Sequence, residues 1–427
     1  MIDENNGEPG FYGWVNGGLL FIIYFVTMGI VFYGFGVIFP AMIQATGWGR
    51  GDASVAQSLN VILTGLLAPA AAWMINRHGS RKTILFGIVV GAIGLWLLGL
   101  GSIKMWHWIV LWGVMMPFSF AFSGMLPIQA TINFWFNVKR STVMGLVMTG
   151  AALGGFLAQP FFTWLMEWSG SWQTAWVTAA IFTLVVLVLC FWVRDKPEDL
   201  GQYADGLPPE KLDSTDKRNR GNRTYRTRDM WSLKEALRTK VVWFLLVLFL
   251  AQMMPVFMMT THGVLHFLDQ GYSGMQSAMV LSSILFGSGL ARLPMGWLGD
   301  RMEPRRIVFA VMVIRLFSFV GLWLSPNLTL LLICGFSFGF SYGTSIVLIP
   351  IITANYFGPM AFASINGIMA PVMIIFGAMV PVGAGYISDR MASYDLVFMT
   401  LVGIIGAGIL CTYLLKPPTK TRKPQLD

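Results

Sequence analysis

Apolar residues fall along this chain in long blocks separated by short polar stretches. Blocks long enough to cross about 30 Å of hydrocarbon as helices lie near 14–43, 53–75, 83–101, 106–132, 142–166, 172–193, 241–268, 275–299, 307–324, 328–352, 361–387 and 394–415. The pattern predicts an all-α membrane protein with twelve transmembrane helices in two six-helix bundles, 1–193 and 241–427, joined by a polar linker over 194–240. Within the linker, MWSLKEALRTK has Ser232 in N-cap position and apolar residues at helical spacing, which predicts a short surface helix leading into the seventh span.

Composition agrees, with 56% hydrophobic and only 11% charged residues. A net charge of +9 would by itself point to an acidic partner, but the charges are not spread evenly. With both termini in the cytoplasm, the loops on that side hold all but five of the 29 Lys and Arg. Arg50, Lys104 and Arg390 fall on the other side, and Arg292 and Arg315 fall inside spans. This asymmetry sets the orientation by the positive-inside rule, makes the basic linker an anchor on anionic lipid, and leaves no role for nucleic acid. Cys190, Cys334 and Cys411 lie in apolar runs without CxxC or Cys/His spacing, so neither a disulfide framework, a metal site nor a cofactor is expected. The N-terminus has no basic n-region or small-residue cleavage site, so the first block reads as a retained span. No Ser/His/Asp set or phosphate loop supports an enzyme, and a receptor would need a sensing domain larger than the 47-residue linker.

The halves repeat. AWMINRHGSRK (72–82) and GWLGDRMEPRR (296–306) share a register 224 residues apart, Trp135-Phe136 matches Tyr356-Phe357, and Pro160 matches Pro381. Parallel repeats with a site between them near the midplane are an arrangement used by secondary transporters that work by alternating access. Pro160 and Pro381 are the expected kinks.

GWLGDRMEPRR resembles the loop motif of the major facilitator superfamily, G-x-L-[AG]-D-R-x-G-[RK]-[RK], with Glu303 where Gly is usual. The first-half copy departs further, with Ala72 for Gly and Asn76 for Asp. FYGWV (11–15), WFNVKRSTVMGLVMTG (135–150), RDKPEDLGQYADG (194–206) and ARLPMG (291–296) resemble signatures of the monocarboxylate transporter family and its bacterial relatives, which overlap the oxalate:formate antiporter branch. The resemblance implies the major facilitator fold, transport of small carboxylates, a span-8 arginine that binds the substrate carboxylate, and a cytoplasmic gate. On this chain the gate positions are Asp300, Arg301 and Arg305 in the second half and Arg77 and Arg81 in the first. The mammalian branch has an Asp one turn before the span-8 arginine, where this chain has Ser288, and a Lys in span 1, where it has none. Nor is there the span-11 Lys of the oxalate branch.

Arg292 lies eight residues before Asp300, so about 12 Å inside the end of its helix. A guanidinium at that depth costs about 2.5–3.5 kcal/mol on insertion scales and needs a partner or a cavity. No Asp or Glu lies in the interior of any span, so Arg292 is a ready ligand for a carboxylate. His262 and His266 share a face of span 7, and His262, the deeper, is the available proton carrier. Tyr342, Ser288 and Tyr33 complete the expected substrate-binding set, Tyr342 as a phenol donor in a Gly/Ser/Phe-rich span. Arg315 reads as a helix contact or a snorkelling residue, with a second anion ligand as the other reading. The resulting expectation is a monomeric proton symporter of small monocarboxylates such as lactate or pyruvate, with Arg292 binding the anion and His262 or the substrate carrying the proton, in the inner membrane of a bacterium. Carboxylate exchange and transport of a larger organic acid are the alternatives.

Overall fold

The computed structural model describes residues 11–100, 104–136, 139–206, 225, 227, 229, 231–299 and 301–419. Twelve helices are long and apolar enough to cross a membrane: α1 Gly13–Thr46, α2 Arg50–His78, α3 Ser80–Gly99, α4 Met105–Trp135, α5 Thr142–Ser169, α6 Gln173–Cys190, α7 Lys240–Asp269, α8 Gly274–Gly299, α9 Pro304–Leu324, α10 Leu328–Gly358, α11 Ile365–Met391 and α12 Asp395–Leu414. No strand occurs among the described residues. Hydropathy alone places these helices because a backbone in hydrocarbon must satisfy its own N–H and C=O groups. The expected surface helix is present at Leu233–Leu237. Ser232 accepts from the Glu235 N–H while the Glu235 carboxylate takes the Ser232 N–H at 2.9 Å, a reciprocal cap.

Prolines interrupt this backbone pairing, and side chains repair it. Pro255 has no N–H for the Ala251 carbonyl of α7, and Arg315 of α9 donates to that carbonyl at 3.3 Å and to the Gln252 carbonyl at 2.7 Å. Arg315 is fully buried, so it is a helix contact and does not snorkel. Pro160 likewise frees the Phe156 carbonyl of α5, and Ser282 of α8 donates to it at 2.9 Å. That second repair links the two halves.

The halves meet where α1 faces α7, α5 faces α8 and α2 faces α11. Inside the first half, α1 and α5 cross so closely that a Cβ on Gly29 would lie 2.6 Å from the Gly154 Cα. Behind this crossing, Phe35, Phe39, Trp108 and Trp112 stack face to face. The Trp indoles reach α2, donating to the Ala53 carbonyl at 2.8 Å and to Gln57 at 2.7 Å.

Three of the signature stretches come together on the face that carries the basic loops. Phe11 packs on Trp135 and Phe136, Tyr12 donates to the Trp192 carbonyl at 2.8 Å, and Asn16 and Trp135 both donate to the Arg194 carbonyl at 3.0 Å. FYGWV, WF and RDKPEDLG therefore form one staple that ties together the ends of α1, α4 and α6.

Candidate functional site

Between the halves at mid-depth lies a cavity walled by α1, α5, α7, α8 and α10, including Tyr33, Gln159, Met259, Leu285, Phe338 and Tyr342. In this conformation it is tight. It has room for little more than a single water. Tyr33 and Tyr342 come from opposite halves and are near enough to interact, so the structure brings these two expected residues together. Arg292 sits beside them on the basic-loop side, where its charge acts on Tyr24, Tyr33 and Tyr342. It reaches across to α5, donating to the Met148 carbonyl at 2.6 Å, and its Nε is buried with no partner among the described residues. No carboxylate pairs with it among them either, Arg50–Asp269 being the salt bridge they contain. Ser288 is buried with its hydroxyl unpartnered among the described residues. It stands at the crossing of α8 with α10, its carbonyl against Gly343, outside the cavity lining.

His262 is also away from Arg292. It lies nearer the face opposite the basic loops, fully buried in a seam joining the halves. Nε2 is 2.8 Å from the Pro381 carbonyl and 3.2 Å from Ser54 Oγ, and Nδ1 is 3.0 Å from the Tyr394 hydroxyl. A carbonyl can only accept, so Nε2 carries the proton and Nδ1 accepts from Tyr394 in the neutral ring. Burial pushes the Tyr394 phenol up to about 12, and it remains a donor at neutral pH.

The rest of this seam was not anticipated from the sequence. Arg50 at the start of α2 grips Asp269 at the end of α7, with Nη2 to Oδ1 at 2.7 Å, and also donates to Tyr394 at 3.2 Å. Asp389 of α11 caps the start of α2, accepting from the Arg50 and Gly51 N–H groups at 3.1 and 2.7 Å. Tyr386 donates to Asp52 at 2.9 Å. The backbones touch here, and a Cβ on Gly385 would lie 2.7 Å from the Gly51 Cα. One signal was available: Arg50 is among the three basic residues predicted on this face, and Asp52, Asp269 and Asp389 all sit at span ends there.

The expected gate residues make contacts within their own halves and, for Arg81, with the start of the linker. Arg77 lies over Trp73, the Arg81 N–H donates to Asp195 at 2.7 Å with its guanidinium over Phe191, and Arg301 stacks 3.7 Å from the Trp297 ring centroid. Arg305 donates to the Leu415 carbonyl. Asp300 lies outside the described residues. Among the described residues, the hydrogen bonds that join the halves lie in the opposite-face seam and at the mid-depth contacts of Ser282 and Arg292.

Known proteins support the same architecture. The Major Facilitator Superfamily pattern matches residues 20–289 and 268–426. Monocarboxylate transporter 13 of Rattus norvegicus is 22% identical over 96% of this chain and 91% of its own length. Monocarboxylate transporter 11 of Homo sapiens is 23% identical over 96% and 84%. Among solved structures, a bacterial homologue of the human lysosomal transporter Spinster, inward-facing and unoccupied, superposes with a TM-score of 0.66 at 14% identity, covering 96% of this chain and 95% of that one. A mutant of the nucleoside transporter NupG gives 0.69 at 12% identity over 94% and 99%. The chain is therefore a multi-pass membrane transporter, not an enzyme, and belongs to the major facilitator superfamily as a relative of the monocarboxylate transporters.

Proposed function

We propose that this protein is a proton-coupled symporter of small monocarboxylates such as lactate or pyruvate, and that it works as a monomer by rocking its halves, 1–193 and 241–427, about the central cavity. The observation that carries the reading is Arg292, a guanidinium in the contact surface between the halves with a buried, unpartnered Nε and no acid beside it among the described residues. A carboxylate at Arg292, aided by the Tyr33 and Tyr342 hydroxyls, would neutralise a charge that otherwise resists closure. His262 stands in the seam and not beside Arg292, so in this reading its proton acts on closure of the seam and is not handed to the carboxylate. Arg301, Arg305, Arg77 and Arg81, with Asp300, form the opposing gate when the cavity opens the other way. The basic-loop face is taken as cytoplasmic by the positive-inside rule. The bacterial inner membrane is our placement, on the compact loops.

Purified protein in liposomes should accumulate labelled monocarboxylate when an inward pH gradient is imposed with no internal anion, and Arg292→Gln should abolish that uptake. Accumulation that requires a carboxylate trapped inside would replace symport with exchange. Full activity in Arg292→Gln would remove the site assignment under either mode.

A further inference from the structure

The first half contains two stretches of wide, π-helical turns, Phe25–Tyr33 in α1 and Ile109–Met115 in α4. Such turns have poorer hydrogen-bond geometry than α-turns and mark places where a helix can bend. In α4 the Met116 N–H reaches back five residues to Leu111 and passes over the Trp112 carbonyl, and Pro117 has no N–H to give. Asn60 of α2 donates to that carbonyl at 2.7 Å. In α1 the carbonyl of Tyr33, the last residue of the stretch, accepts from Gln159 of α5 at 2.5 Å. Each stretch also carries a glycine where the same neighbouring helix comes close. A Cβ on Gly29 would lie 2.6 Å from the Gly154 Cα, and one on Gly113 would lie 3.2 Å from the Ala56 Cα.

The arrangement thus occurs twice, a π-helical stretch crossed at a glycine by a neighbour whose amide holds one of its carbonyls. Among the described residues the second half has no counterpart, since α7 and α10 contain no π-helical turn there. The registers that match Pro160 with Pro381 and residues 72–82 with 296–306 place Val380 opposite Gln159 and Ile284 opposite Asn60. Those side chains cannot donate.

Beyond its π-helical stretch, α1 continues as an arm, Gly34–Thr46, of 13 residues and about 20 Å. The arm packs on α7 at the seam. A Cβ on Gly36 would lie 3.1 Å from the Thr260 carbonyl oxygen, and Phe39 meets the His262 ring edge-on. Gln159 itself is three residues past Phe156, whose carbonyl takes Ser282 of α8. One turn of α5 therefore touches both the end of the stretch and the second half.

From this we infer that the first half does not move as one rigid body: the arm of α1 swings at Phe25–Tyr33 as the seam opens, and Gln159 is the positioning residue that fixes its angle. The inference rests on the halves moving about the cavity and is indifferent to the cargo. A bend of about 20° moves the tip of the arm by about 7 Å.

The test is pulsed electron-electron distance measurement on the purified full-length protein in a background lacking Cys190, Cys334 and Cys411. Nitroxides at Gln44→Cys and Leu97→Cys, exposed residues near the opposite-face ends of α1 and α3, report on the arm within the first half. Nitroxides at Trp168→Cys and Leu324→Cys, on α5 and α9, report on the seam. Arg50→Gln, which removes the ion pair of the seam, should lengthen the seam distance and bring in a second arm distance shifted by up to about 7 Å. With Arg50 in place, Gln159→Met should raise that second arm population about 2- to 12-fold, the weight of one hydrogen bond. A seam that opens while the arm distance stays single would overturn the hinge and keep the rocking halves. An arm distribution indifferent to Gln159→Met would overturn the role of Gln159, and that comparison decides even if Arg50→Gln leaves the seam shut. If Gln159→Met does not fold, the Arg50→Gln measurement decides the hinge.

Discussion

Replacing Arg50 with Gln should open the seam between the halves. The guanidinium makes a two-pronged pair with Asp269 and further bonds to Tyr394 and Ser388, all crossing from α2 to the second half. Charged hydrogen bonds contribute about 1.5–3 kcal/mol each when buried. Here the Arg50 and Asp269 side chains are 24% and 44% exposed, so water screens much of that. A net loss of about 1–3 kcal/mol is expected, and the Asp389 contacts to the backbone survive the substitution. The ratio of sealed to open conformers should fall by about 5- to 150-fold. Pulsed electron-electron spectroscopy can measure this with nitroxides at Trp168→Cys and Leu324→Cys, exposed residues near the opposite-face ends of α5 and α9, in a background lacking Cys190, Cys334 and Cys411. The long-distance population should grow in Arg50→Gln and equally in Asp269→Asn, and the double variant should add little. An unchanged distance distribution would refute the idea that this pair holds the seam.

Other substitutions probe the remaining contacts. Protonating His262 removes the acceptor for Tyr394 and adds charge near Arg50, although Asp389 offsets part of it. Acidification should therefore favour the open seam in the same distance measurement, and His262→Gln should flatten that pH response; a response of undiminished size would exclude His262 as its source. Arg315→Met should lower thermal stability in detergent by leaving the Ala251 carbonyl without a donor, about 1–3 kcal/mol. Adding Pro255→Ala returns an N–H to Ala251 and should recover part of the loss, so absence of any recovery would disprove the repair of the kink. Gly154→Val should abolish transport and fold poorly, because its side chain would meet the α1 backbone at Phe25 and Gly29; wild-type uptake would show that this crossing tolerates separation.

Local properties of the sequence determined most of the architecture. Mean hydropathy over about twenty residues is a statement about each helix alone, and all twelve spans follow from it with ends within six residues. The Ser232 cap was legible for the same reason, since its partner Glu235 is three residues away. Arg292 was legible because depth along one helix and the lack of acid in the interior of any span are both countable. The tertiary structure decided whatever joins distant segments. Ser54, His262, Pro381 and Tyr394 meet from α2, α7, α11 and the turn before α12, and no spacing rule relates them. The histidine could be found in the sequence, but its assignment to the seam between the halves could not. Gln159 is one amide among many until the Tyr33 carbonyl fixes its orientation. Helix existence depends on burying a backbone in hydrocarbon, which each segment does for itself. The site depends on which helix faces meet, and that is set by packing across hundreds of residues.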